Sequence, residues 1–350
     1  MVQNNKDISR NKGEWSESYI LLKLIHTKEI PFGDAKLQPL EDKINLIALA
    51  TLTDKVSIKI ISSNEIQIID IKSQNIIKNL NVNDILCERD LDNILSSINK
   101  GEGAFSEPGI LMDRIFAKLG MENKKAPGDS KVDLYLSFSH LGQSYNQQPI
   151  GLKSYLGAKP TLVNPTKATM FQYELIGIKS DIASINNQTE GLKCKSFIQK
   201  IISLGGEFKF KKVKNSVYET NLIKVDSLMP NLIAKILLQF FSSKGTAKIS
   251  ELIHDEIEKI HVKRFLLESL LGILPGSDWD GKRIANGSIE LNKKNNLLFY
   301  HVVKQDLFED FLFFNTKLDS PQIRNQTPYC FLYEEDKKIC IDLCLQVRFS

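Results

Sequence analysis

Apolar and polar residues alternate strictly over positions 132–139 of this chain. A period of two is typical of a β-strand with one buried face. Turn-forming residues follow over positions 142–148, and a second short strand then carries Gly151 and Lys153 on one face. Because the first strand carries Asp133, the pattern predicts two neighbouring strands that bring an aspartate and a lysine together.

The rest of the pattern predicts an α/β (α+β) protein. A helix over positions 11–28 precedes the two strands, and a third apolar strand over 169–178 follows them. Further helices are predicted over 40–49, 90–98, 110–119, 197–204, 229–241, 247–260 and 262–274, and further strands over 56–61, 66–71, 207–213, 288–291, 297–303 and 339–349. We therefore expect a mixed central sheet flanked by helices in residues 1–190. A mostly helical region, 191–350, is expected to pack with it as one unit and to end in a β-hairpin.

An aspartate and a lysine on neighbouring strands suit metal-assisted hydrolysis of a phosphodiester. The carboxylate of Asp133 can hold a divalent ion, which polarises the phosphate and lowers the pKa of the attacking water. The ammonium group of Lys153 can balance the negative charge that develops on the phosphate. The alternative is that both side chains are solvated residues at a sheet edge, which is the commoner situation for such a pair.

The first predicted helix places a second carboxylate on an apolar side. At 100° per residue, Glu17 falls between Leu21 and Leu24. A buried carboxylate without a partner is costly, so a cation or hydrogen-bond donors are expected beside Glu17. The alternative is that Glu14 and Glu17 are first-turn acids favoured by the helix dipole, which explains Glu14 better than Glu17.

Composition and charge narrow the function only slightly. The 350 residues carry a net charge of +4, which is compatible with a polyanionic partner but does not require one. No segment is long and apolar enough to span a membrane, and the N-terminus is too polar for a signal peptide, so a cytoplasmic protein is expected. Five cysteines without a Cys-x-x-Cys motif indicate reduced thiols and no structural zinc site.

Three other patterns carry less weight. Residues 276–283 nearly match a phosphate-binding P-loop, but they lack the Ser or Thr after the lysine and follow a predicted helix, so we reject that motif. The histidines show no metal-ligand spacing, and His140, at the end of the Asp133 strand, is a weak catalytic candidate. A basic ribbon either contacts phosphates or forms a solvated face, and it consists of Lys209, Lys211, Lys212 and Lys214.

Several short motifs, in order along nearly the whole chain, resemble the HpaII-type restriction endonucleases. They are Lys-Gly-Glu-Trp-Ser-Glu at 12–17, Leu-Tyr-Leu-Ser-Phe-Ser-His-Leu-Gly at 134–142, Leu-Lys-Ser-Tyr-Leu-Gly at 152–157, Thr-Leu-Val-Asn at 161–164, Trp-Asp-Gly at 279–281, Asn-Thr-Lys-Leu at 315–318 and Leu-Gln-Val-Arg-Phe at 345–349. That family is part of the PD-(D/E)XK nuclease superfamily. The resemblance therefore implies a restriction-endonuclease-like core and a magnesium-dependent enzyme that cuts both DNA strands at a short palindrome, which is CCGG for the namesake.

The superfamily pattern matches this sequence unevenly. By the resemblance, Asp133 is the metal-binding aspartate and Lys153 is the catalytic lysine. Most of the superfamily has an acid two residues before that lysine, where this chain has Gly151. Glu17 is the first candidate for the missing carboxylate, because many members carry a helix glutamate four residues after a glycine. Glu174 on the third strand is the second candidate.

The expected function is therefore that of a homodimeric type II restriction endonuclease acting on double-stranded DNA. Asp133 and Glu17 would hold Mg²⁺, and hydrolysis would leave 5′-phosphates. Two-fold symmetry suits a palindromic target, and a cognate DNA methyltransferase is the implied functional partner. The expected DNA contacts are Lys159, Lys167, Lys209 and Lys211. The alternatives are a DNA-binding protein with a degenerate nuclease site, or a nuclease of the same fold in repair or junction resolution.

Overall fold

The structure of the protein is a computed structural model that describes residues 9–123, 130–178, 182–188, 193–243, 245, 247–321 and 329–350. The chain forms two compact units, each discontinuous in sequence. The first consists of Met1–Pro160 and Ile284–Phe308, and the second of Thr161–Arg283 and Glu309–Ser350. The domain boundary predicted between residues 190 and 191 lies outside the described residues.

The helices and strands are numbered in chain order. The helices are α1 Lys12–Thr27, α2 Glu88–Lys100, α3 Gly109–Lys118, α4 Ile182–Gln188, α5 Cys194–Ser203, α6 Ser216–Val225, α7 Met229–Ser242, α8 Ile249–Leu252, α9 Glu256–Leu271 and α10 Gln305–Asn315. The strands are β1 Glu29–Gly33, β2 Pro39–Thr51, β3 Val56–Ile60, β4 Glu65–Asp70, β5 Ile76–Asn81, β6 Leu134–His140, β7 Gln143–Ser154, β8 Thr161–Val163, β9 Met170–Ile176, β10 Glu207–Val213, β11 Gly287–Leu291, β12 Leu297–His301, β13 Thr316–Leu318, β14 Leu332–Glu335, β15 Lys338–Cys344 and β16 Val347–Phe349. No helix within the described ranges combines the length and the apolar character needed to cross a membrane.

Among the described residues, the first unit holds a nine-stranded sheet in the order β1-β12-β11-β7-β6-β2-β3-β4-β5. Strand β1 also pairs with β2, so six of the strands form a closed ring. Strand β7 runs parallel to β11 and β1 parallel to β12, whereas β6 is antiparallel to both β2 and β7. The prediction of a central mixed sheet accompanied by helices is confirmed.

Helix α1 begins with a capping box and supplies much of the core of the first unit. The Asn11 side chain accepts a hydrogen bond from the Glu14 N–H, and the Glu14 carboxylate accepts one from the Asn11 N–H, both at 3.1 Å. Its buried apolar residues join the cluster formed by the interior of the sheet, and they are Trp15, Tyr19, Ile20, Leu21, Leu22, Leu24 and Ile25. The cap fixes where the helix starts, and the packing fixes which of its faces meets the sheet.

Two predictions for the first unit are wrong. The helix expected over 40–49 is part of β2, which pairs with β1 and β3 on one edge and with β6 on the other. Tertiary pairing outweighs the local helix propensity of that segment, because a strand between partners satisfies its backbone on both edges. The loop expected over 142–148 belongs largely to β7, and the turn instead falls at Leu141 and Gly142, which both have positive φ.

Within its described residues, the second unit contains a four-stranded sheet, β10-β9-β15-β14, and a three-stranded sheet, β13-β16-β8. Strand β9, predicted to follow the catalytic strands in the central sheet, lies here instead. The strand predicted over 339–349 is divided into β15 and β16, which enter different sheets, while β14 and β15 form the predicted terminal hairpin. The expectation of reduced thiols is corrected by a disulfide between Cys194 and Cys330.

Candidate active site

The carboxylate of Asp133 is fixed by the backbone of the neighbouring strand. Asp133 directly precedes β6, and its N–H donates to the Ile150 carbonyl at 2.9 Å. Its Oδ2 accepts a hydrogen bond from the Leu152 N–H at 2.6 Å. Burial raises the pKa of Asp133, while the positive charge of Lys153 and the Leu152 N–H act in the opposite direction. The half-buried carboxylate therefore favours a nearby cation.

Lys153 lies on β7 one residue beyond that hydrogen bond. Its positive charge acts to lower the pKa of Asp133 and that of Glu290, whereas burial raises both pKa values. Burial lowers the pKa of Lys131 to about 8, and the charge of Lys153 acts in the same direction. The structure thus brings Asp133 and Lys153 together on neighbouring strands, while their roles in catalysis remain predictions.

Position 151 lies beside Asp133 and the backbone of Lys131. A Cβ atom added to Gly151 would lie 3.9 Å from Asp133 Oδ2 and 3.0 Å from the carbonyl oxygen of Lys131. The first distance shows that an acid here would stand beside Asp133. The second is tighter than an ordinary van der Waals contact, so the close approach of the Lys131 backbone favours glycine.

Glu17 and Asp133 line the same open pocket of the first unit. The pocket encloses about 480 Å³, part of it open solvent, and Leu21 and Leu152 contribute to its walls. No cluster of three or more His, Cys, Asp or Glu side chains suited to a metal occurs within the described ranges. Two carboxylates across a pocket still fit Mg²⁺, which commonly takes one or two protein carboxylates together with water and substrate phosphate oxygens.

A cation does lie near Glu17, as the helix pattern required. Burial lowers the pKa of Arg10, whereas the charges of Asp113, Glu14 and Glu17 act to raise it. The Arg10 guanidinium also donates to the Ser18 hydroxyl at 3.3 Å and to Asn123 Oδ1 at 3.0 Å. Arg10 precedes the helix, so the helical periodicity that drew attention to Glu17 could not identify this partner.

The pocket contains a third carboxylate that the sequence did not single out. Glu122 lines it beside Asn123, and its N–H donates to Asp54 Oδ1 at 3.1 Å. Nothing in the local pattern distinguishes Glu122 from a surface residue, because it follows α3 in a segment without periodic structure.

The other predicted acids and His140 have separate structural roles. Glu14 is a member of the α1 capping box. Glu174 lies on β9 in the four-stranded sheet and accepts a hydrogen bond from Lys338 at 2.8 Å, which lowers the pKa of Glu174. His140 is buried at the opposite end of β6 from Asp133, and its Nε2 lies 2.9 Å from Asp42 Oδ1.

The predicted DNA-binding lysines differ in their surroundings. Lys159 and Lys167 are exposed, and so is Lys209 on β10. Lys211 is half-buried, with its ammonium nitrogen 3.9 Å from Glu335 Oε2, and Lys214 donates to Asp342 at 2.7 Å. Part of the basic ribbon therefore neutralises acids of its own sheet, and the assignment of the remainder to phosphates is still a prediction.

Glu290 is the functional candidate that the sequence reasoning missed. It is fully buried in β11, where its Oε1 accepts a hydrogen bond from Ser288 Oγ at 2.5 Å and its Oε2 has no hydrogen-bond partner among the described residues. Burial raises the pKa of Glu290 to about 7, against the opposing hydrogen bond from Ser288 and the charge of Lys153. The available signal was an acid between two apolar residues, Ile289 and Leu291, of a predicted strand.

Comparisons with known proteins agree with the motifs noted in the sequence. The family model described as HpaII restriction endonuclease matches residues 11–349. The chain is similar to the Type II restriction enzyme HpaII of Haemophilus parainfluenzae, with 30% identity over 97% of this chain and 98% of that protein. No solved structure gives a significant match.

Proposed function

Because the chain belongs to the HpaII restriction endonuclease family, we propose that it hydrolyses double-stranded DNA with Mg²⁺ at an active site formed by Asp133, Glu17 and Lys153. Membership makes the protein a type II restriction enzyme, a site-specific deoxyribonuclease. The metal, the residues and the target are parts of the proposal.

One observation carries the site assignment. Asp133 Oδ2 is held by the Leu152 N–H, one residue before Lys153, and the same pocket is lined by Glu17 from α1. Burial favours the neutral form of Asp133, so a divalent cation would regain much of the energy that ionisation costs this carboxylate. Two carboxylates thus line one solvent-accessible pocket, and Lys153 directly follows Leu152, which also lines it.

The residues have distinct roles in this proposal. Asp133 and Glu17 would hold the metal, which when bound supplies a polarised phosphate and a water of lowered pKa. Lys153 would place its ammonium group against the phosphate and balance the developing negative charge. The Leu152 N–H orients Asp133, and Arg10 supplies positive charge on the α1 side of the pocket.

The same proposal extends to the fold class, the product and the target. We assign the core to the PD-(D/E)XK superfamily, with the second carboxylate coming from α1 instead of position 151. Cleavage is expected within CCGG, with 5′-phosphate ends, by a homodimer whose two active sites each meet one strand of the palindrome. Lys159 and Lys167 are the proposed base contacts, Lys209 and Lys211 the proposed phosphate contacts, and a cognate DNA methyltransferase would protect the host site.

Digestion of a long linear DNA tests the proposal directly. With Mg²⁺ the protein should give discrete fragments whose sequenced ends lie at CCGG, and EDTA should stop the reaction. Asp133→Asn and Lys153→Gln should each abolish cleavage but keep DNA binding measured in Ca²⁺. Asp278→Asn is a matched control, because Asp278 is an exposed aspartate that pairs with an exposed lysine, Lys224, at 2.8 Å. Fragments with other reproducible ends would refute the target alone.

A second candidate function is a DNA-binding protein without cleavage. The observation that favours it is Gly151, since the position that faces Asp133 carries no acid. This candidate predicts specific DNA binding, no fragments at any Mg²⁺ concentration, and no effect of Lys153→Gln on binding. Discrete fragments from the wild-type protein exclude it.

A further inference from the structure

Glu290 and Lys153 occupy paired positions on adjacent parallel strands. The register of β7 and β11 places Gly151 opposite Ser288 and Lys153 opposite Glu290. Paired residues of neighbouring strands project from the same face of a sheet, about 5 Å apart at their backbones. The Glu290 carboxyl group therefore stands on the same face as the lysine of the proposed active site, on the side away from Asp133.

The Glu290 carboxyl group is only half satisfied by its surroundings. Ser288 Oγ donates to Oε1 at 2.5 Å, whereas Oε2 is buried without a hydrogen-bond partner in the part of the chain that the structure describes. A buried carboxyl oxygen with no donor or cation is costly, so a native protein rarely retains one without a use. Lys153 is the cation whose charge acts on this group.

The same lysine also acts on Asp133, so its ammonium group lies under the influence of two carboxyl groups. Asp133 is open to the pocket, and Glu290 is closed off from solvent. Glu290 therefore cannot touch DNA or a hydrated metal as the structure stands. What it can do is attract the ammonium group of Lys153 from the β11 side of β7.

We propose that Glu290, held by Ser288, is a positioning residue for Lys153, whose ammonium group it attracts across the pair of strands β7 and β11. The catalytic role of Lys153 rests on the proposed function, but the interaction of Glu290 with Lys153 can be tested without cleavage. The Glu290 carboxyl group attracts the Lys153 ammonium group from the β11 side, whereas Asp133, which would hold the metal, attracts it from the β6 side.

The direct test is Glu290→Gln, which keeps the size of the side chain and the bond to Ser288 but removes the charge. Single-turnover cleavage in Mg²⁺ should fall about tenfold or more, with unchanged DNA affinity in Ca²⁺. Acetylation of Lys153 by acetic anhydride, followed by mass spectrometry, should become faster, because a side chain that Glu290 no longer attracts is less restrained and more accessible to the reagent. Unchanged Lys153 labelling would overturn the proposal whatever happens to the rate.

Glu268→Gln is the matched control. Glu268 is another buried glutamate, but it is paired with Arg283 at 2.6 Å in the second unit. Its loss should lower stability and leave both Lys153 labelling and the cleavage rate of the folded protein unchanged. An equal rise of Lys153 labelling in this control would show general loosening of the fold and overturn the specific pairing.

Lys153→Gln gives an independent test if Glu290→Gln does not fold. Without the lysine, Glu290 should take up a proton, and the infrared carbonyl band of a buried carboxylic acid should increase at neutral pH. No change in that band would overturn the pairing. If the wild-type protein cuts no DNA, the proposed function fails, whereas the labelling and the infrared results still decide whether Glu290 holds Lys153.

Discussion

Replacing Asp133 by asparagine should abolish cleavage and at the same time stabilise the metal-free protein. Asparagine keeps an oxygen that can accept the Leu152 N–H bond of 2.6 Å, but it removes a carboxylate whose ionisation is opposed by burial. Removing a poorly compensated buried charge is often stabilising, and we expect a gain of about 1 kcal/mol in the free energy of unfolding at neutral pH. The active site would then be stabilised at the cost of its function.

The direction of this change in the free energy of unfolding follows from proton linkage. The pKa of Asp133 is raised in the folded state, so ionisation costs the folded protein stability at every pH above that raised pKa. The cost disappears once the carboxyl group is protonated in both states, below about pH 4. Urea unfolding in EDTA should therefore show Asp133→Asn to be more stable than wild type at pH 7.5 and equally stable near pH 3.5.

Asp42 provides a control of opposite sign. Hydrogen bonds from Lys304 and His140 lower the pKa of Asp42, although it too is half-buried. Its contribution to stability is present above the unfolded pKa and is lost as the pH falls through the lowered value, so Asp42→Asn should destabilise by up to about 1 kcal/mol at pH 7.5.

Magnesium completes the test of Asp133. At one hundred times its Kd, a bound ion adds about 2.7 kcal/mol to the stability of the wild-type protein. It should add little to Asp133→Asn. The reasoning is refuted if Asp133→Asn is less stable than wild type in EDTA at pH 7.5, or if Mg²⁺ stabilises both proteins equally.

Two further predictions concern the other carboxylate and the basic ribbon. Glu17→Gln should stay folded but lose cleavage and Mg²⁺-dependent stabilisation. If Glu17→Gln cleaves normally and Glu174→Gln does not, Glu174 is the second metal-binding carboxylate instead of Glu17. Replacing Lys209 and Lys212 by alanine should weaken binding to specific and random DNA alike and reduce the slope of log affinity against log salt by about 0.9 per lost phosphate contact. Lys214→Ala is the comparison, because Lys214 already pairs with Asp342 at 2.7 Å, and an unchanged slope in the double variant would assign the ribbon to a solvated face.

The parts of the site that sequence could predict are those joined by local structure. Asp133 and Lys153 lie on the two strands of one hairpin, so alternation and a turn were enough to bring them together. Glu17 was found because a capped amphipathic helix has a predictable face. In each case the spacing along the chain determines the geometry.

The parts that sequence could not predict depend on pairing between distant segments. Glu290 lies opposite Lys153 because β11 pairs in parallel with β7, and such a pairing leaves no local periodic signal in the sequence. The same cause explains β2, whose residues favour a helix locally but find strand partners on both edges. Strand β9 was correctly predicted as a strand but was assigned to the wrong sheet, because its partners β10 and β15 come from later in the chain.

Gly151 gives the final prediction, because it links the missing acid to the position of Asp133. A Cβ at this position would meet the Lys131 carbonyl oxygen at 3.0 Å, so even alanine should push the segment before Asp133 outward by a few tenths of an ångström. The same segment leads directly into Asp133, whose N–H donates to the Ile150 carbonyl oxygen at 2.9 Å. Gly151→Ala should therefore cost about 1–3 kcal/mol in unfolding free energy and also slow cleavage.

Gly276→Ala is the control for this change, since a Cβ there meets nothing within 4 Å. It should leave unfolding and single-turnover cleavage as in wild type. If Gly151→Ala behaves like this control, the backbone has room at position 151 and its close approach to Lys131 does not explain the glycine. If Gly151→Ala is slower and less stable, the fold itself keeps an acid out of that position. The second metal-binding carboxylate must then come from another element, and α1 is the one that presents an acid, Glu17, to the pocket.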